Sequence, residues 1–202
     1  YDDNVSADNA VSVTMHPSLP SYRNNGLHPI FAQNLPEGYL GDVIRKTVSK
    51  LYGSDELTLL ACIGPSQIGN LGYSSTELDT TGETIATESL PSLLNSPDHQ
   101  LFDELVDKYA LQSGLSGVQP KVMLEATRAE NTTLRTHNYI VKSWGNDYPQ
   151  LAANEYFCMS VARAAGLETS EFFLSDNGRL FIMERFDKTS DGVCFGFEDG
   201  CV

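Results

Sequence analysis

The sequence predicts an α+β fold of two units followed by a short continuation. Three observations carry this. Apolar residues recur at helical spacing in Val43, Ile44, Thr47, Val48 and Leu51. They form short strand-like runs in Val118 to Thr127 and Tyr139 to Trp144. A Ser/Thr/Glu/Gly-rich stretch over residues 74–92 separates an irregular first part from a more orderly second part. The boundary between the two parts is expected near the helix over residues 96–112.

Along the chain, residues 1–10 read as a polar, acidic arm. Ala10 to Met15 alternates as a strand does, and Pro17 and Pro20 end it. Residues 21–41 are rich in Asn, Gly and Pro, which predicts an irregular loop burying Phe31 and Leu35. Gly41-Asp42 opens a helix that Gly53 ends. Leu57 to Ile63 fits a short helix or a strand, and Ile68 to Tyr73 a strand. Ser96-Pro97-Asp98 caps a helix to about Gln112, since proline fits a first turn whose N–H is unpaired anyway. Leu101, Leu105 and Tyr109 share its face.

The second part continues with a small-residue turn at Gly114–Gly117, two strands, and a helix from Gln150 to Ala165 ended by Gly166. Phe172–Leu174 and Leu180–Glu184 then flank Asp176-Asn177-Gly178. Asn-Gly between apolar runs predicts a tight hairpin with positive φ at both positions.

Composition narrows the function classes. Hydrophobic residues make up 41% of the 202 and charged residues 20%, an ordinary globular balance that excludes wholesale disorder. The net charge of −14 is foremost a source of solubility; it also repels phosphate backbones, so direct binding to nucleic acid is not expected, while a basic partner could still make DNA contacts. No run approaches the ~20 apolar residues of a membrane span, and the first 15 residues carry no signal-peptide pattern. Cys62, Cys158, Cys194 and Cys201 form no CxxC pair and have no histidine pair nearby. Neither a zinc site nor a disulfide scaffold is expected, which points to a reducing, cytoplasmic compartment.

Four constellations could carry chemistry. In Ser113-Gly114-Leu115-Ser116-Gly117-Val118-Gln119-Pro120-Lys121, small residues would let backbone N–H groups approach phosphate oxygens, and Lys121 would add charge. An ordinary turn has the same look. Lys142 lies inside the apolar run Tyr139 to Trp144, where an unpaired buried ammonium is costly; an edge-strand lysine reaching solvent is the alternative. Glu155, thirteen positions on, can pair with Lys142 or stand as a solvated carboxylate favoured by the helix dipole. Met183-Glu184-Arg185-Phe186-Asp187 leaves the hairpin, where backbone groups can meet an adenine edge or simply end a strand. In order, these are the parts of a kinase small lobe: glycine loop, strand lysine, helix glutamate, hairpin and hinge.

The stretches HPIFAQNLPEGYL, SGLSGVQPKVML, AANEYFCMSVARAAGL and IMERFDK resemble those of HipA-type serine/threonine kinases, a bacterial toxin-kinase family. Matching words run from Val11 to Asp187, and GVQPK, NEYFC and ERFD occur in the family's order. The resemblance implies a nucleotide loop on Ser116, Gly117, Val118, Gln119, Pro120 and Lys121. It implies an ATP-contacting lysine at Lys142 and an adenine-holding segment at Glu184, Arg185 and Phe186.

It also implies an amino-terminal sheet-and-helix subdomain over residues 1–100 and a kinase-like small lobe of antiparallel sheet plus helix over residues 101–187, within an α+β fold. A helical large lobe would follow, of which residues 188–202 are the first step. The activity implied is transfer of the ATP γ-phosphoryl, with magnesium, to a protein serine or threonine. An aminoacyl-tRNA synthetase is one type of target. The partner implied is a small helix-turn-helix, HipB-like antitoxin in a toxin–antitoxin pair linked to persistence.

Two departures stand out. The family's autophosphorylated serine aligns with Gly114, so that reaction would shift to Ser113 or Ser116. No catalytic-loop aspartate, magnesium-binding asparagine or metal-binding aspartate follows Asp187; Phe197-Glu198-Asp199-Gly200 is not a DFG. The chain is therefore expected to be an amino-terminal fragment without turnover of its own, or else a non-catalytic docking module for the antitoxin.

Overall fold

The computed structural model describes residues 10–19, 21–49, 53, 55–64, 67–73, 87–113, 115, 119–145, 148–189 and 191–200. The amino-terminal part is helical: α1 (Pro29–Ala32), α2 (Gly38–Val48) and α3 (Glu56–Ile63). A two-residue strand β1 (Glu88–Ser89) leads into α4 (Leu90–Asn95) and α5 (Leu101–Tyr109), which tightens into a 3-10 turn at Ala110–Gln112. Strands β2 (Lys121–Glu130) and β3 (Thr133–Lys142) form a long hairpin. Helix α6 (Leu151–Ala164) and strands β4 (Phe172–Leu174) and β5 (Phe181–Glu184) complete the order.

The strands make one sheet in the order β1-β2-β3-β5-β4. β1 runs parallel to β2 and the other pairs are antiparallel. The α+β class is as expected, but the sheet is mixed rather than antiparallel. Among the described residues the amino-terminal part has no sheet of its own, because β1 joins the main one. Both β1 and α4 sit at the end of the stretch read as a linker. They are too short to show a period, yet Leu90 and Leu93 are buried.

One core joins the two parts. Leu40, Ile44, Leu59 and Ile63 from α2 and α3 pack with Leu105, Val106 and Tyr109 of α5 and with Val122, Val141 and Ile182 of the sheet. Buried apolar area of this kind is the main favourable term in folding. A smaller cluster of Ala152, Phe172 and Phe181 fixes α6 against the sheet, with Tyr156 edge-on to Phe172 at 5.4 Å.

Several local expectations change. Residues 10–15 form a turn, closed by the Met15 N–H donating to Ser12 O at 3.0 Å, not a strand. The predicted loop over 21–41 contains α1 and the start of α2. Phe31 and Leu35 in it are half-buried rather than buried. Gly41 does not open a helix but lies inside α2. A Cβ there would sit 2.5 Å from Pro36 O, so close packing explains the glycine. Residues 57–63 resolve to helix, because Asp55 caps α3 by accepting from the Thr58 N–H at 3.1 Å. Residues 68–73 are irregular, with Gly69 at φ +91.

The β4–β5 turn is longer than Asn-Gly alone would give. The Ser175 N–H donates to Leu180 O at 2.9 Å, and only Gly178 has positive φ, at 69°. Asn177 instead uses its side chain, accepting from the Arg179 N–H and donating to Ser96 O. No helix among the described residues is long and apolar enough to cross a membrane.

Candidate functional site

Three of the singled-out side chains meet at one end of the sheet. Lys121 opens β2 and Lys142 closes β3, directly opposite each other. Cross-strand partners share a face. Glu155 reaches that face from α6, one turn beyond the buried Ala152 that anchors the helix. The Lys142 ammonium donates to both Glu155 oxygens, at 3.0 and 2.9 Å. Each side chain of the pair is 20% exposed, so Lys142 is neither a solvent-reaching edge lysine nor an unpaired buried charge.

Lys121 is half-buried beside this pair. Burial foremost, and then the neighbouring Lys142 charge, push its ammonium from the usual 10.5 down to about 8, against the pull of Glu155 and Glu37. Two lysines thus stand close together at this end of the sheet, in a chain of net charge −14.

The loop before Lys121 is described in part. Gly114, Ser116, Gly117 and Val118 lie outside the described residues. Gln119 and Pro120 are half-buried, and Pro120 O accepts from the Ser143 N–H at 3.0 Å. Ser113 is fully buried. Its hydroxyl donates to Tyr109 O and accepts from the Met123 N–H, both at 2.8 Å. In this arrangement Ser113 ties α5 to β2 and is closed to a phosphoryl donor.

The exit of β5 is fixed from several sides. The Glu184 N–H donates to Glu171 O at 2.8 Å, and the Arg185 N–H to Asn138 O at 2.9 Å. The Glu184 carboxylate meets His137 Nδ1 at 2.9 Å. The other ring nitrogen lies 3.0 Å from Glu130, but without the alignment of a hydrogen bond.

Arg185 belongs to the segment expected to hold adenine, and its guanidinium is turned inward. It donates to Asp187 through Nε at 2.9 Å and Nη2 at 2.5 Å, and to Gln67 O at 2.7 Å. Asp187 also accepts from the Gly69 N–H at 2.7 Å. Burial raises the Asp187 pKa, but the bonds from Arg185 and Gly69 outweigh it and leave the carboxyl below its usual range. Among the described residues neither backbone group of Phe186 has a hydrogen-bond partner, and its half-exposed ring lies 5.8 Å from Phe197.

A polar cavity of about 520 Å³ opens beside this exit, lined by His137, Asn138, Glu184, Arg185 and Lys188 among others. A second, of about 660 Å³, lies against Tyr22, His28, Phe31 and Leu57 and contains none of the expected site residues. Sequence reasoning missed His137, Asn138, Gln67 and Gly69. The partners of Arg185 and Asp187 lie 118 positions away, a separation no local pattern reveals. His137 did leave a trace, as a polar residue in a strand. Among the described residues, no group of three or more His, Cys, Asp or Glu could hold a metal ion.

The fold and site thus define an α+β protein with a lysine–glutamate cluster and a tethered strand exit on one mixed sheet. A family model described as the HipA N-terminal domain matches residues 1–74, and one described as the HipA-like C-terminal domain matches residues 113–202. The chain belongs to the HipA family, whose two domain types it carries in order. No curated protein matches it.

Proposed function

We propose that this chain is the nucleotide-holding part of a HipA-like serine/threonine protein kinase, the toxin of a toxin–antitoxin pair. The observation that carries the reading is the Lys142–Glu155 pair set opposite Lys121. It supplies two ammonium groups for an ATP polyphosphate, with one oriented by a carboxylate. The loop of residues 116–121 would cover the phosphates.

The adenine end would lie at the β5 exit. Glu184 pairs with Tyr139, three residues along β3 from Lys142. At ~3.3 Å per residue that is about 10 Å, a gap an extended nucleotide can bridge. The unpaired N–H and C=O of Phe186 offer the base one donor and one acceptor. The Arg185 side chain would act behind the hinge rather than on ATP.

The reading takes the magnesium ligands and the catalytic aspartate to belong to the family's large lobe. Positioning without metal and base does not complete phosphoryl transfer. These residues alone would therefore bind ATP and not turn it over. The net charge of −14 favours a basic helix-turn-helix, HipB-like partner that makes the DNA contacts.

Titration calorimetry with Mg-ATP tests the reading. Lys142→Ala should weaken binding by about tenfold or more, the value of a charge-assisted hydrogen bond. Equal affinity in the folded variant, or no binding by the wild-type chain at millimolar ATP, refutes it.

A further inference from the structure

The ion pair between Arg185 and Asp187 is the most deeply buried one among the described residues, with side chains 7% and 2% exposed. Burying two charges costs solvation that their attraction rarely exceeds, so such a pair is a weak source of stability. Its better-attested use is to fix register. Here it is bonded on both sides to the turn after α3. Arg185 Nη2 donates to Gln67 O, and Asp187 Oδ2 accepts from Gly69 N–H.

That turn has little freedom. Gly69 is at φ +91, and a Cβ on it would lie 3.0 Å from the Phe197 side chain. The chain beyond Asp187 folds back over the same region. The Phe195 N–H donates to Asp187 O at 2.7 Å, and Gln33 Nε2 donates to Phe197 O at 3.0 Å. Phe186, the residue with unpaired backbone groups, sits between the two members of the pair.

We propose that Arg185 and Asp187 are positioning residues that lock the strand exit to the amino-terminal part, so that the Gln67–Gly69 turn sets where Phe186 presents its backbone to a nucleotide base. This rests on the nucleotide reading above and adds the coupling to it. Whatever shifts the amino-terminal turn then changes affinity for the base, and a bound base stiffens the turn in return, because coupling is reciprocal.

The test compares Mg-ATP with inorganic tripolyphosphate, which offers the lysines a polyanion but no base. Asp187→Asn and Arg185→Gln should each weaken ATP by about tenfold and leave tripolyphosphate within about twofold. A merely structural role leaves the ratio of the two affinities unchanged, and that result in a folded variant overturns the proposal. A measurement on the wild-type chain stands even if the variants do not fold. Mg-ATP should slow hydrogen exchange at the Gly69 amide, and tripolyphosphate should not; an unchanged Gly69 rate with ATP bound overturns it. Failure of the wild-type chain to bind either ligand removes the nucleotide reading and this coupling together. Wild-type binding with an unchanged affinity ratio removes the coupling alone.

Discussion

Lys121 makes nucleotide binding depend on pH in a way that can be worked out beforehand. Burial and Lys142 hold its ammonium at about 8 in the free chain, against the usual 10.5. A polyphosphate beside it restores the charged form, so binding draws in a proton wherever the free chain has lost it. At pH 7 Lys121 is about nine-tenths protonated already, and uptake is about 0.1 proton. At pH 9 the free group is about one-tenth protonated, and uptake approaches about 0.9 if the bound group returns to its usual value. Affinity should then fall about tenfold between pH 7 and pH 9, or about 1.4 kcal/mol. Calorimetry in two buffers of different ionisation enthalpy reads the uptake directly. No uptake at pH 9, with a flat affinity, would refute the reasoning. Folding stability has the opposite slope. Between about pH 8 and 10.5 the unfolded chain binds more protons at this site, so the contribution of Lys121 to stability improves as pH rises.

Other perturbations have equally definite outcomes. Lys142→Met and Glu155→Gln should show a coupling of about 1 kcal/mol in a double-mutant cycle on urea stability, since the pair is mostly buried and doubly hydrogen-bonded. Strict additivity would contradict the pairing. Ser113→Ala strands the Met123 N–H in the core and should cost about 1–3 kcal/mol, read as a lower urea midpoint. An unchanged midpoint would mean the hydroxyl is not the tie described. Gly64→Ala places a Cβ 1.8 Å from Tyr73 O and should destabilise by about 2 kcal/mol or more. A Tm equal to wild type would show that the 64–73 connection yields easily.

What the sequence reveals follows from how local each signal is. Helix α6 was legible from its own residues, because apolar spacing and the closing Gly166 are local features. The order of lysine strand, helix, hairpin and exit was legible too, and so was a pairing of Lys142 with Glu155. Strand β1 was not, since a two-residue parallel pairing takes its stability from Ala126 and Thr127 far along the chain. Gly41 misled because a glycine needed for packing against Pro36 looks like one that punctuates a helix. What the Arg185 side chain does was not legible. Its inward turn depends on Gln67 and Gly69, which meet it only in the folded chain. The same holds for Ser113, a hydroxyl in a Ser/Gly stretch whose burial is a tertiary fact.

The central claim is that the loop ending at Lys121, the lysine at 142 and the exit at 184–186 form one nucleotide site. Hydrogen exchange along the whole chain, with and without saturating Mg-ATP, tests it most directly. The account predicts slower exchange at 119–121, 142–143 and 184–186 together, and loss of all three effects in Lys142→Ala. Protection confined to the cavity beside Tyr22, His28 and Leu57, with those three stretches unchanged, would contradict it.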